Sequence, residues 1–392
     1  MKMKLRAAAV VSASALLLAG CSGTGDGGDS GGGTGGLVGT GTGASCVIES
    51  PVKIGAALSL TGGAGSYGAS QQQGLELALE ELNAADGIEY KLSIEDDASE
   101  PRQGISVMET FAGDGTSIVL GPTLSNTAVA AMPIANEASM PVMGISTTAG
   151  GITDIGEFVF RDSLTEAQVI PQTIDAVIDE YDLKKVVVMY SNDDAFTESG
   201  YEVMAETLEG TNVEVLDTLT FSKADTDFRS LLTAAKDKNP DAIVVSALIE
   251  AAIPLVTQAR ELGIEQPIVG GNGFNNPKLM ADAGDAAEGV VVGAAWNSAS
   301  DNAENQAFLT AYEAKFGAQP DQFAAQAYAA LYLIDSAVRS DCSAERADLR
   351  ESIGSLKDVA TPLGAVSINA DRDAEHPAVV QIVKDGKFAV LR

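Results

Sequence analysis

Between residues 52 and 292 the chain switches repeatedly between two patterns: short continuous apolar runs, and longer stretches whose apolar residues recur at helical spacing. Residues 118–120, 186–190, 242–246, 267–270 and 290–292 are of the first kind, and 70–85, 167–181, 198–208, 227–236 and 251–262 are of the second. A strand buried on both faces has no polar alternation to display, so such runs separated by helices predict parallel sheets covered by helices on both sides. The alternation pauses after the strand-like 158–161 and restarts at Glu166, which makes two α/β units in tandem. Two consecutive helical stretches follow, 305–316 and 322–340, and then a strand-like tail with Asp385-Gly386 as a hairpin turn. Helices arriving after the second unit imply that the chain returns to complete the first, crossing between two lobes more than once.

Ahead of this body stand Lys2, Lys4 and Arg6, an apolar run over 7–18, and Leu18-Ala19-Gly20-Cys21. The run is too short to span a bilayer and fits a secretory signal. Its end resembles the lipobox of bacterial lipoproteins, so residues 1–20 are expected to be removed and Cys21 to carry lipid. Residues 22–45 are almost entirely Gly, Ser, Thr and Asp and bury too little apolar surface to fold. With Cys21 they are expected to form a flexible tether (21–45) spanning roughly 27 Å root-mean-square. No second apolar run approaches the roughly 20 residues of a membrane helix. The formal charge of −31 excludes nucleic acid and anionic lipid as partners, which leaves the lipid anchor as the membrane contact. Of the three cysteines, Cys46 and Cys342 remain once Cys21 is lipidated. In an oxidising compartment a single disulfide between them is expected, two free thiols being the alternative.

The stretch 119–151 reads as strand, loop, helix, strand, loop. Ser125 opens the helix, where it either caps it or offers its hydroxyl to a ligand. Ser146, Thr147 and Thr148 follow the second strand. Two hydroxyl-rich loops leaving one edge of a parallel sheet, each with free backbone N–H groups, hold a small anion without a basic residue. The competing motif is Gly63-Ala64-Gly65-Ser66-Tyr67-Gly68, a literal G-x-G-x-x-G between strand and helix, with Asp96-Asp97 ending the next strand. Its first glycine comes late in the turn, and export removes the protein from nicotinamide cofactors. His376, the only histidine, stands in an acidic tail as a surface residue. There is no G-x-S-x-G elbow, no Cys/His cluster and no EF-hand loop. Neither enzyme activity nor a metal or cofactor is therefore expected.

What remains is a cleft binder, because open α/β sheets bind ligands at the carboxyl ends of their strands. Two lobes facing each other line one cleft. The first lobe offers Tyr67, Ser125, Ser146 and Thr148, and the second offers Phe196, Leu248, Glu250 and Asn272. Trp296, near a crossing, is either part of this site or a core residue. Hydroxyls on one side and apolar groups on the other suit a small molecule with an acid head and an apolar tail.

From about 52 to 391 the chain resembles the solute-binding proteins of branched-chain amino acid ABC transporters, which have the type I periplasmic-binding fold. The markers are Lys53-Ile54-Gly55 with Leu60-Thr61-Gly62, Gly74 through Leu82-Asn83-Ala84, Asp96-Asp97-Ala98 with Pro101, Gly121-Pro122 with Ser125, and Pro141 leading to Ser146 and Thr148. Gln258 through Gly263 and the GDAAEG at 284–289 extend the match. The resemblance implies two doubly wound parallel-sheet lobes joined by three crossovers, 46–162 plus 296–362 and 163–295 plus 363–392, closing on ligand like a hinged trap. It implies a monomer that delivers ligand to an ABC permease at the outer face of the cell membrane. It places Ser125, Ser146 and Thr148 at the ligand's α-carboxylate and α-ammonium, and Tyr67, Phe196 and Leu248 around its side chain. One position departs: where amino-acid binders carry an acid for the ammonium, Asn272 stands here, with Glu250 as a substitute from the neighbouring strand end. The ligand is thus an amino acid or a related carboxylate or amide. A ligand-sensing lipoprotein is the alternative function, and an exported dinucleotide enzyme a more remote one.

Overall fold

The computed structural model describes residues 36–391. The expected leader (1–20), the lipidated Cys21 and the tether up to residue 35 lie outside the described residues.

In the first lobe, β1 (Val52–Leu58), α1 (Gly65–Asn83), β2 (Tyr90–Asp96), α2 (Pro101–Gly113), β3 (Ile118–Leu120), α3 (Ser125–Glu137), β4 (Val142–Gly144) and β5 (Val159–Arg161) build a wholly parallel sheet in the order β2-β1-β3-β4-β5. β3 and β4 are buried throughout and β1 nearly so, which is why they show no alternation in sequence. The chain then crosses to α4 (Glu166–Tyr181), β6 (Lys185–Ser191), α5 (Ala195–Glu209), β7 (Glu214–Phe221), α6 (Arg229–Asp237), β8 (Ala242–Ser246), α7 (Ile249–Glu261), β9 (Ile268–Gly270), α8 (Lys278–Ala283) and β10 (Val291–Ala294). It returns as α9 (Ala303–Phe316), α10 (Gln322–Asp341), α11 (Arg346–Gly354) and a small antiparallel sheet of β11 (Val359–Thr361), β12 (Gly364–Ile368) and β13 (Ala374–Glu375). A third crossing leads to the hairpin β14 (Val379–Lys384) and β15 (Lys387–Val390). The second sheet runs β15-β14-β10-β9-β8-β6-β7, parallel except for that hairpin at its edge. Asp385 and Gly386 both take positive φ at the turn, as a two-residue hairpin requires.

Helix α10 joins the first lobe's core and is buried on nearly every side. Its contact with α1 depends on Gly74, where a Cβ would lie 2.2 Å from the Ala324 carbonyl oxygen. At the other end of α10 the disulfide forms: Cys46 and Cys342 are bonded with Cα atoms 5.3 Å apart.

Two expectations change. The segment 363–375 does not belong to the second lobe, because Leu363, Val366, Ile368 and Ala374 are buried in the core that holds β1 and α10. The third crossing therefore falls between β13 and β14. The tether also ends earlier than Ser45. Val38 bridges Ser343, the Gly39 N–H donates to the Cys342 carbonyl (2.8 Å), Ala344 N–H donates to the Leu37 carbonyl (2.9 Å), and Leu37 packs on the core. Leu37 and these backbone hydrogen bonds dock the Gly-rich stretch beside the disulfide, while Val38 stays exposed. Helix α11 escaped the periodicity reading because Leu349 and Ile353 are its only buried apolar residues.

The disulfide closes a loop of 296 residues, for which the chain-entropy treatment gives up to about 6 kcal/mol. Replacing both Cys46 and Cys342 with Ser should lower the urea midpoint accordingly. An unchanged midpoint would show that packing of 36–48 alone secures this end of the body.

Candidate ligand-binding site

The reversals of strand order fall beside β1 and β3 in one sheet and beside β6 and β8 in the other, and the loops leaving these strands face each other. Between them lies a cavity of at most about 370 Å³ of atom-free space, its mouth included. Tyr67, Thr123, Leu124, Ser125, Ser146 and Thr148 line it from the first lobe, and Phe196, Leu248, Asn272 and Gly273 from the second. Helix α10 adds Gln322, Phe323 and Gln326. Among the described residues, no charged side chain lines it.

Gly121 shapes the first-lobe side: its φ of +97° and a hypothetical Cβ 2.1 Å from the Ala57 carbonyl oxygen exclude any other residue. Helix α3 then opens at Ser125 itself, with Leu124 as the N-cap and no side-chain cap. Ser125 is thus not spent on capping its helix. Its oxygen accepts only a long bond from the Ala149 N–H (3.4 Å), and the first N–H groups of α3 have no intrahelical acceptor. The Thr148 hydroxyl, 3% exposed as a residue, makes no hydrogen bond of good geometry, though it lies near enough to Glu166 to lower that carboxyl's pKa. Ser146 differs. Its hydroxyl donates to the Thr123 carbonyl (2.6 Å) and accepts from Gln71 Nε2 (2.8 Å), so its proton is already committed. Behind this loop the buried Arg161 guanidinium donates to the carbonyls of Thr147 (2.9 Å) and Ala149 (2.6 Å) and pairs with Asp373 at 2.5 Å.

The lobes touch directly across the cavity. The Tyr67 hydroxyl donates to the Gly273 carbonyl (2.7 Å) and accepts from the Ile249 N–H (2.8 Å), and its ring lies 4.3 Å from that of Phe323. Asn126 bridges to the Asp194 carboxylate (2.6 Å) and to the Ala195 N–H (2.8 Å), while the Gly150 N–H reaches Ser199 Oγ (2.9 Å).

Two anticipated residues do not line the cavity. Trp296 is buried in the first-lobe core, its ring edge-on to Phe308 and its Nε1 bonded to Asn305 Oδ1 (2.8 Å). Glu250, one residue into α7, is absent from the cavity lining. Burial raises its pKa to about 7, against the pull of Lys278. The acid beside Asn272 is instead Glu166, 1% exposed, whose Oε1 accepts from Asn272 Nδ2 at 3.0 Å. Burial pushes Glu166 up to about 7, against the opposing effects of Asn272, Thr148 and Arg161.

Asn272 belongs to a longer series. Asn297 Nδ2 donates to Gln381 Oε1, Gln381 Nε2 to Asn275 Oδ1 (2.6 Å), Asn275 Nδ2 to Gln322 Oε1 (2.7 Å), Gln322 Nε2 to Asn272 Oδ1 (3.2 Å), and Asn272 to Glu166. All six side chains are buried. Gln322 Oε1 also accepts from the Ala295 N–H (2.6 Å) at the second crossing. Sequence reading missed Gln322, Gln326 and Glu166. The visible signal was two glutamines four residues apart in an otherwise apolar, fully buried helical run.

The glycine-rich turn is built for itself rather than for a dinucleotide. Asp96, the residue such a site would turn toward a ribose, accepts from the N–H groups of Leu60 (2.9 Å), Thr61 (3.2 Å) and Ala98 (2.8 Å) and from Thr61 Oγ1 (2.6 Å). His376 is half-buried at the third crossing, outside the cavity lining.

Two α/β lobes closed over a small uncharged cavity at their strand ends define a cleft-binding protein. The chain belongs to the periplasmic binding protein family, whose sequence pattern matches residues 51–387. It is similar to the Leu/Ile/Val-binding protein BraC3 of Rhizobium johnstonii, 26% identical over 327 residues that cover 82% of this chain and 88% of that one. Among solved structures it resembles the branched-chain amino acid transporter substrate binding protein LivJ from Streptococcus pneumoniae in complex with isoleucine, with a TM-score of 0.82, 29% identity, and coverage of 87% and 98% of the two chains. It also resembles a solute binding protein of an ABC transporter from R. palustris in complex with benzoate, with a TM-score of 0.81, 25% identity, and coverage of 87% and 96%. The type I periplasmic-binding fold expected from the sequence is the one observed, and these relatives are solute-binding proteins.

A carboxyl whose folded pKa exceeds its unfolded value holds its proton more tightly when folded, so stability falls as pH rises from the unfolded value, about 4.5, through about 7. Glu166→Gln keeps the acceptor for Asn272 and removes this titration. The variant should exceed the parent in stability by up to roughly 3 kcal/mol at pH 8, with the difference shrinking toward pH 4.5. Urea unfolding of both proteins at the two pH values checks this, and a pH-independent difference would contradict it.

Proposed function

We propose that this protein is a lipid-anchored, extracytoplasmic solute-binding protein that captures a small carboxylate-bearing solute, an amino acid or a related acid, between its lobes and delivers it to an ABC permease. The observation that carries the ligand class is the amino end of α3. Its uncapped first turn, with the hydroxyls of Ser125 and Thr148, supports capture of a carboxylate without a cation in the lining. Phe196, Leu248, Leu124 and Phe323 supply the apolar remainder. Isoleucine and benzoate, the ligands of the two structural relatives, share this combination of a carboxylate and an apolar body.

The two ligands differ in the ammonium. The residue we assign to the ammonium is the neutral Asn272, which lines the cavity and has Glu166 one hydrogen bond behind it. An ammonium approaching Asn272 would favour the ionised form of Glu166, so the site retains a route to amino acids that benzoate does not use. Tyr67 supports capture by closure, because its hydroxyl bonds only to second-lobe backbone. Anchoring rests on the leader 1–20 followed directly by Cys21, and delivery rests on the transporter setting of the relatives.

The test is a thermal melt of the leader-free protein with millimolar isoleucine or benzoate. A ligand at 100 times its Kd adds about 2.7 kcal/mol of stability. A shift with either supports the reading, and none with any small carboxylate removes it. Ser125→Ala and Thr148→Ala should each weaken binding by about 1–3 kcal/mol. Unchanged affinity in both would remove the assignment of the carboxylate to α3. In cells, Cys21→Ser should release the protein from the membrane fraction, and retention there would argue against the lipid anchor.

A further inference from the structure

Helix α10 brings into the cavity a side chain that the strand-end loops do not supply. Gln326 is 1% exposed and lines the cavity, and neither its amide nitrogen nor its carbonyl oxygen has a hydrogen-bond partner. One turn earlier, Gln322 is engaged at both its oxygen and its nitrogen, accepting from Asn275 and the Ala295 N–H and donating to Asn272. The contrast shows that this helix face has no general shortage of partners. A buried carboxamide without partners lowers stability, whereas an apolar residue of the same size, beside Phe323 and Leu124, would not. Whichever way the amide is turned, a donor and an acceptor present themselves to the same space.

The chemistry of those two atoms restricts what can meet them. A carboxylate accepts from the nitrogen and leaves the oxygen unmet. An ammonium donates to the oxygen and leaves the nitrogen unmet. A hydroxyl or a carboxamide both donates and accepts, and so can meet the nitrogen and the oxygen together, the amino-acid head being assigned above to α3 and Asn272. We propose that Gln326 is a specificity-determining residue that reads a hydroxyl or carboxamide carried on the body of the ligand, apart from its acid head. This deepens, and rests on, the small-carboxylate reading above. It places the preferred solute among hydroxylated or amide-bearing acids rather than plain aliphatic or aromatic ones.

Gln326→Met preserves length and removes both polar atoms. Without ligand, the variant should melt about 1–3 °C above the parent, since an unmet buried group has been exchanged for an apolar one. Calorimetric titration of the leader-free protein with matched pairs then reads specificity: leucine with asparagine, valine with threonine, benzoate with 4-hydroxybenzoate. The parent should prefer the polar member of at least one pair by about tenfold or more, and Gln326→Met should abolish or reverse that preference. A lower melting temperature in the variant would show that Gln326 serves the fold and would overturn the proposal. A parent that binds these acids but prefers the apolar members, or a preference that survives the substitution, overturns this proposal alone. A parent that binds none of them removes the small-carboxylate reading as well.

Discussion

A single file of side-chain amides holds the two lobes in relation to each other. From Asn297 through Gln381, Asn275, Gln322 and Asn272 to Glu166, each group donates to the next, so the direction of every bond depends on the last. An ionised carboxylate only accepts, and it polarises the series one way; a protonated one can also donate. Glu166 stands at the first crossing, Asn297 at the second and Gln381 just past the third, while Gln322 belongs to the first lobe and Asn272 to the second. Two of the six, Gln322 and Asn272, also line the cavity, so the lining and the connection between lobes share side chains. A carboxamide series suits that position better than ion pairs would. It satisfies buried groups at low desolvation cost.

The same economy of charge runs through the site. Among the described residues none that lines the cavity is charged, yet titratable groups stand one layer back: Arg161 behind the loop 146–149 and Glu166 behind Asn272. Arg161 contributes geometry, because its guanidinium grips loop carbonyls and so fixes the face that the loop turns to the cleft. Closure is fastened mainly through backbone atoms. Tyr67 bonds to the Gly273 carbonyl and the Ile249 N–H, and Asn126 to the Ala195 N–H.

Much of this was legible in the chain. Continuous apolar strands alternating with amphipathic helices can be satisfied by little else than helix-covered parallel sheets, and the late pair of helices revealed the return to the first lobe. The hydroxyls of Ser125 and Thr148 were visible because strand-end loops are where α/β sheets bind. What was hidden is of two kinds. Gln322 and Gln326 sit in a helix whose place in the cavity comes from tertiary packing against α1, where Gly74 permits the approach, and no local pattern encodes that. Glu166 reads as an ordinary first-turn acid, because its burial depends on where two crossings meet. Trp296 misled for the converse reason: a lone aromatic near a crossing attracts notice, but its indole N–H is satisfied by Asn305 within the core.

The covalent topology has a further implication. Cys46 and Cys342 enclose the entire excursion into the second lobe from Glu166 to Ala294, together with every loop that lines the cleft. A single cut in any of those loops leaves one molecule, not two. For a binding protein working outside the cytoplasm, where proteases meet the exposed loops first, the disulfide turns a severed chain into a merely nicked one. The two pieces then remain at the effective concentration needed to stay folded.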